Sequence, residues 1–216
     1  MATNLKRAIV LAGGELNTVP FAEKSDFVIA ADSGYDHAVA IDLHVDLLVG
    51  DLDSISAAGL AHAKHAGIAI QQHPKDKDHT DLELALAQAL DRGATAIDIH
   101  GAEGGRIGHL LSVALLTAAP KFASAGLTWH TDTGTIRAAN AEHIVEFAVS
   151  IGDTVTLLPI GDAGGITTTG LRWPLDDATL TTGTSMGVSN EAVSDHVAVG
   201  VRKGSILVIH EGEVLS

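Results

Sequence analysis

The 216-residue chain contains no cysteine, which excludes disulfides, a thiolate nucleophile and cysteine-ligated zinc. Aromatic residues make up only 3%, so a core has to be assembled from Ala, Val, Ile and Leu, a composition that suits packed helices and parallel strands. Basic residues are scarce too: Lys and Arg total 13 against 27 Asp and Glu, a formal charge of −14. A field of that sign repels phosphate polymers and anionic bilayers, which sets aside nucleic acid and membrane as partners. It fits attraction of a divalent metal or a cationic small molecule, and fits plain solubility equally well. Long apolar runs are missing. The one after Lys6 and Arg7 is too short for a signal peptide and far too short to span a bilayer, so a cytoplasmic location is expected. Neither Gly-x-Gly-x-x-Gly nor a Walker A string occurs. The 12 histidines form no HxH or HxxxH pair, which leaves zinc little support.

Hydrophobic residues make up 46% of the chain, enough for one large or two small folded domains. The first part alternates short apolar runs with helical periodicity, the pattern of a parallel α/β sheet. Strands are predicted at residues 8–12, 27–31, 46–49, 68–71, 96–100 and 127–130, and helices at 34–42, 56–65, 81–91 and 107–118. In the third helix Leu82, Ala85, Leu86, Ala89 and Leu90 share a face, Thr80 with Glu83 makes a capping box and Gly93 provides the stop. The fourth repeats the spacing with Ile107, Leu110, Leu111, Ala114 and Leu115. Helical periodicity ends near residue 133. The β-branched runs 154–160, 166–169, 197–201 and 205–210 then predict antiparallel strands without crossover helices. The fold class read from this is α/β, with a parallel-sheet domain over residues 1–136 and an antiparallel β domain over 137–216.

Ligands of an open parallel sheet bind beyond the carboxyl ends of its strands, and several aspartates fall there. Asp32 follows the second strand, and Asp51 and Asp53 follow the third within Val-Gly-Asp-Leu-Asp-Ser. Carboxylates at i and i+2 point the same way in an extended chain, and Gly50 permits close backbone approach. Gathered oxygens of this kind suit Mg²⁺, although single aspartates at such positions also serve as turn formers and caps. The segment 74–81, Pro-Lys-Asp-Lys-Asp-His-Thr-Asp, opens the third helix with lysines able to meet phosphate and with Asp81 on the same edge. A solvated charge run is its plainer reading. Residues 100–109, His-Gly-Ala-Glu-Gly-Gly-Arg-Ile-Gly-His, offer backbone N–H groups and Arg106 to an anion at a helix start, or form an ordinary βα turn.

Together these strings resemble the thiamine pyrophosphokinase (thiamine diphosphokinase) family. The matching pieces are 30–34 (Ala-Ala-Asp-Ser-Gly), 49–54 (Val-Gly-Asp-Leu-Asp-Ser), 77–83 (Lys-Asp-His-Thr-Asp-Leu-Glu), 104–109 (Gly-Gly-Arg-Ile-Gly-His), 170–174 (Gly-Leu-Arg-Trp-Pro) and 187–191 (Gly-Val-Ser-Asn-Glu), in order through nearly the whole chain. The resemblance implies an α/β domain followed by a β-sandwich, and a homodimer with thiamine bound between the α/β domain of one subunit and the β domain of the other. It implies Mg²⁺-dependent transfer of pyrophosphate from ATP to the thiamine hydroxyl, giving thiamine diphosphate and AMP. By the same resemblance Asp32, Asp51, Asp53 and Asp81 hold Mg²⁺ and the ATP phosphates, and Asp51, Asp53, Asp81 and Arg106 carry the chemistry. Lys77, Asp78, Thr80 and Arg106 join Asp32 around ATP, while Trp173, Ser189 and Asn190 contact thiamine. A cationic flat ring stacks well on indole. One departure stands out: the family string reads Gly-Gly-Arg-x-Asp-His, and this chain has Gly108 at the Asp position. A Mg²⁺-dependent phosphohydrolase using the same aspartates on water, or a thiamine- or nucleotide-binding homologue impaired by Gly108, are the competing expectations.

Overall fold

The computed structural model describes residues 7–212, and the chain separates into two compact units that divide between Leu110 and Leu111. In the first, β1 (Arg7–Leu11), β2 (Phe27–Ala31), α1 (Gly34–Ala40), β3 (Leu47–Gly50), α2 (Ala57–His65), β4 (Ala69–Gln72), α3 (Asp81–Asp91) and β5 (Ala96–His100) follow in order, and α4 (Ile107–Thr117) leads out of it. The strands form a parallel sheet ordered β4-β3-β2-β1-β5. β1, β2 and β3 are buried almost along their whole length, as their unbroken apolar runs require of a sheet covered on both faces. The core gathers Ile9, Leu11, Val28, Ala30, Leu48 and Tyr35.

Local signals in the sequence account for the helix starts. Ser56 caps α2 by accepting the Gly59 N–H, and Thr80 caps α3 by accepting the Glu83 N–H. In α3 Leu82, Ala85, Leu86 and Ala89 are buried as their spacing predicts, with Leu90 half-buried. Burial of each leucine contributes about 1.5–3 kcal/mol. Helix α4 departs from expectation. Val113 and Thr117 are its buried residues, whereas Ile107, Leu111 and Leu115 form an exposed apolar stripe.

The second unit follows a short 3₁₀ turn (Pro120–Phe122) with β6 (Gly126–His130), β7 (Gly134–Asn140), β8 (Val145–Ala148), β9 (Thr154–Thr169), β10 (Ala178–Leu180), β11 (Asn190–Glu191), β12 (His196–Gly200) and β13 (Lys203–Glu211). Its pairings are antiparallel, in the order β6-β7-β13-β9-β12-β8, with β10 and β11 also on β9. Alternate residues of β13 serve opposite faces. Ile206 and Val208 enter the main core with Val155, Leu157, Val197 and Val199. Leu207 joins Ala118 and Ala138 in a smaller cluster, with Ile209 packed against it.

Two strands expected at 154–160 and 166–169 are in fact one. The Gly-rich stretch 161–165 reads as a turn, yet β9 continues through it to Thr169, with a register shift opposite Lys203 and Ser205 that absorbs the irregularity. Its first half pairs with β13 and its second with β12 and β10, so a single strand belongs to both layers around the main core. Residues 134–140, which span the domain boundary expected between 136 and 137, are the regular strand β7.

Candidate active site

The carboxyl ends of β2 and β3 and the start of α3 bring four aspartates together. Asp32, Asp51 and Asp53 each present an oxygen, all within 4.8 Å of one another. Asp32 is buried and its Oδ1 accepts the Ile55 N–H at 2.8 Å. Gly50, with φ of 153°, lies beneath the cluster. A Cβ there would stand 3.1 Å from the Asp32 Cβ and 3.2 Å from the Asp81 Cγ, so the bare backbone keeps the space between those two carboxylates open.

The expectation of an extended chain from Asp51 to Asp53 does not hold. Leu52 has φ of 65°, and the Asp53 N–H folds back onto Asp51 Oδ1 at 3.2 Å. The carboxylates therefore converge through a left-handed kink, not through strand alternation. Asp32 carries a second left-handed backbone at φ of 48°. Such conformations cost of order 1–3 kcal/mol each and persist where the surroundings enforce them.

Two lysines face these acids. Lys77 Nζ lies 2.7 Å from Asp51 Oδ2 and 3.1 Å from Asp81 Oδ1, and Lys75 Nζ lies 2.5 Å from Asp53 Oδ2. The Lys77 hydrogen bond holds the Asp51 carboxyl below its ordinary value. Burial pushes Asp32 up, against the N–H groups of Ile55 and Ser54 that favour its ionised form. Burial alone would lower the Lys77 ammonium, but its bonds to Asp51 and Asp81 outweigh that and raise it. An oxygen-only donor set with a formal excess of negative charge is the chemistry a hard divalent cation prefers.

The other expected residues are distributed as follows. Thr80 spends its hydroxyl on capping α3. Asp78 is exposed on the same turn. Arg106 is exposed in the loop before α4, with its guanidinium against the His109 ring, and the adjoining Gly104 and Gly105 adopt φ of 75° and 67°. In the second unit Trp173 is 58% exposed, and the Arg172 guanidinium covers one indole face at 5.5 Å from the ring centroid. Glu191 holds Arg172 at 2.8 Å. Ser189 is exposed in a left-handed conformation with φ of 56°, fixed by its N–H on Thr156 Oγ1 at 2.9 Å. The buried Asn190 amide is committed to the Trp173 backbone: Oδ1 accepts its N–H at 3.1 Å and Nδ2 donates to its carbonyl at 2.8 Å. Asn190 thus positions the indole.

Comparison with known families matches residues 19–128 to "Thiamin pyrophosphokinase, catalytic domain" and residues 142–206 to "Thiamin pyrophosphokinase, vitamin B1 binding domain". The chain belongs to the thiamin pyrophosphokinase family. It is 26% identical to thiamine pyrophosphokinase of Bacillus subtilis (strain 168), over 95% of this chain and 98% of that one. The crystal structure of the thiamine pyrophosphokinase from Bacillus subtilis superposes with a TM-score of 0.84 at 24% identity, covering 97% and 100% of the two chains. A thiamin pyrophosphokinase family protein from Enterococcus faecalis gives 0.81 at 27% identity, covering 96% and 99%. Membership makes this chain a transferase that moves pyrophosphate onto thiamine.

The sequence alone did not point to the loop after β1. Gly14 and Glu15 donate their N–H groups to Gly101 and Glu103 carbonyls at 2.7 and 2.8 Å, tying that loop to the Gly-rich one before α4. The signal was a Gly-Gly pair just beyond the carboxyl end of a buried strand. Asp36 was also missed. It accepts the Ser56 N–H at 2.8 Å and the Ser56 hydroxyl at 2.6 Å, which fixes the segment following Asp53.

Proposed function

We propose that Asp32, Asp51, Asp53 and Asp81 hold Mg²⁺ and, through it, the phosphates of ATP, so that the protein forms thiamine diphosphate and AMP. The observation that carries this reading is the convergence of Asp32, Asp51 and Asp53 within 4.8 Å on the edge of a parallel sheet where ligands bind. When bound, Mg²⁺ neutralises charge on the phosphate oxygens and so makes the β-phosphorus open to attack. The thiamine hydroxyl oxygen forms the new bond to that phosphorus. The bond between it and the oxygen bridging to the α-phosphorus breaks, and AMP leaves with that oxygen. The hydroxyl proton passes to solvent. Lys77 and Arg106 supply positive charge to the triphosphate, with Asp78 and Thr80 at the nucleotide side.

Trp173 offers its exposed indole face to the thiamine ring, with Ser189 beside it and Asn190 fixing the indole from behind. The exposed stripe Ile107, Leu111 and Leu115 and the exposed Trp173, Met186 and Val188 support a homodimer, since apolar patches of this kind mark contact surfaces. Among the described residues no helix is long and apolar enough to cross a membrane, in keeping with a cytoplasmic enzyme. Asp51→Asn and Asp53→Asn test the reading. Each is expected to fold like the parent, by circular dichroism, and to lower turnover by roughly a hundredfold or more. Near-parental turnover of both variants at ordinary Mg²⁺ would remove the metal assignment.

A further inference from the structure

Lys77 lies deeper among the aspartates than Lys75 does. Its side chain is only 13% exposed, and its Nζ lies within 3.1 Å of both Asp51 and Asp81. Lys75, by contrast, is 77% exposed and meets Asp53 at the rim. Four carboxylates gathered in a partly buried pocket repel one another and cost desolvation energy unless a cation sits among them. The Lys77 ammonium is such a cation. It touches two of the oxygen donors that the proposed Mg²⁺ would need. A compact point charge on a flexible stem is also suited to exchanging one partner for another, unlike the planar fork of arginine.

Resting on the metal reading above, we propose that Lys77 is an internal stand-in for the divalent cation. The ammonium keeps Asp51 and Asp81 in place before the cation arrives, and the arriving cation has to displace it. The displaced ammonium then takes the phosphate oxygens as its new partner, so cation and nucleotide assist each other's binding. This coupling lets the pocket stay assembled without metal while favouring the cation together with nucleotide over the cation alone. Two ligands that remove the same obstacle bind with positive and reciprocal coupling.

Calorimetric titration of Mn²⁺ into the parent protein, Lys77→Met and Lys75→Met tests the idea, first without nucleotide and then with α,β-methylene-ATP. Lys77→Met is expected to bind Mn²⁺ alone about fivefold or more tightly than the parent, and to gain less from the nucleotide analogue. Lys75→Met should stay within about twofold of the parent, as an exposed pair contributes little. The melting temperature of Lys77→Met without metal should be lower than the parent's and recover on adding Mn²⁺. Lys77→Gln keeps a donor for Asp51 without the charge. It carries the same expectation and replaces the methionine variant should that one not fold. Parental or weaker Mn²⁺ binding by these variants, with the parent binding Mn²⁺ normally, overturns the stand-in role alone. Failure of the parent protein to bind Mn²⁺ at all overturns the metal reading as well.

Discussion

Trp173 is held from two sides, by Arg172 over one face at 5.5 Å and by the Asn190 amide on its backbone, and Glu191 in turn secures Arg172. A cationic ring stacking on this indole uses the face that Arg172 does not cover. Cation–π contact at an exposed ring is worth about 0.5–1 kcal/mol, or roughly two- to fivefold in affinity. Trp173→Ala is therefore expected to weaken thiamine binding by about that factor while leaving affinity for an ATP analogue nearly unchanged, as read by calorimetry with each ligand. Equal losses for both ligands would mean that the indole is structural. At this scale the sequence was legible in residue identity and less so in geometry. The four aspartates could be named from their positions at strand and helix ends. The kink at Leu52 could not, because nothing about a leucine announces a φ of 65°. That conformation is imposed by the Asp51 and Asp53 contacts around it.

Among the elements, the parallel strands and α3 could be read closely because their burial follows directly from apolar runs and 3.6-residue spacing. The long strand β9 could not: glycines that break a lone strand are tolerated where partners on both sides hold the backbone. Helix α4 lies between these cases, since its apolar spacing is plain but one stripe of it is left uncovered. Gly108 sits in its first turn, and a Cβ added there meets nothing within 4 Å. Gly in a helix costs roughly 0.5–1 kcal/mol relative to Ala, and a carboxylate near the helix start is favoured by the dipole. Gly108→Asp should therefore raise stability slightly, by a few tenths of a kcal/mol, in chemical denaturation, and it restores the side chain found in the family string. Thiamine-dependent turnover is expected to rise with it. A well-folded but slower variant would show that this chain has adapted its pocket to the missing carboxylate.

Across the molecule, the stability of the second unit is linked to pH through Asp153. Burial opposes ionisation of this carboxyl, but the His210 Nε2 at 2.8 Å and the Ser150 N–H at 2.9 Å outweigh it. Its folded value is therefore depressed. A depressed carboxyl binds fewer protons folded than unfolded, so its stabilisation is present above the unfolded value near 3.9 and is lost as pH falls through the folded one. Asp153→Asn is expected to be about 1–3 kcal/mol less stable than the parent at pH 7. The gap should close below about pH 4, as followed by urea unfolding across a pH series. A gap of constant size would assign the effect to shape and not to charge.

In the proposed function one acidic pocket directs pyrophosphate from ATP onto thiamine. Quantifying AMP and thiamine diphosphate together, in purified protein supplied with Mg²⁺ and ATP, tests it most directly. AMP released only when thiamine is present, mole for mole with thiamine diphosphate and abolished by chelating Mg²⁺, is the predicted result. Inorganic phosphate or pyrophosphate released without thiamine, and no thiamine diphosphate formed, would contradict it.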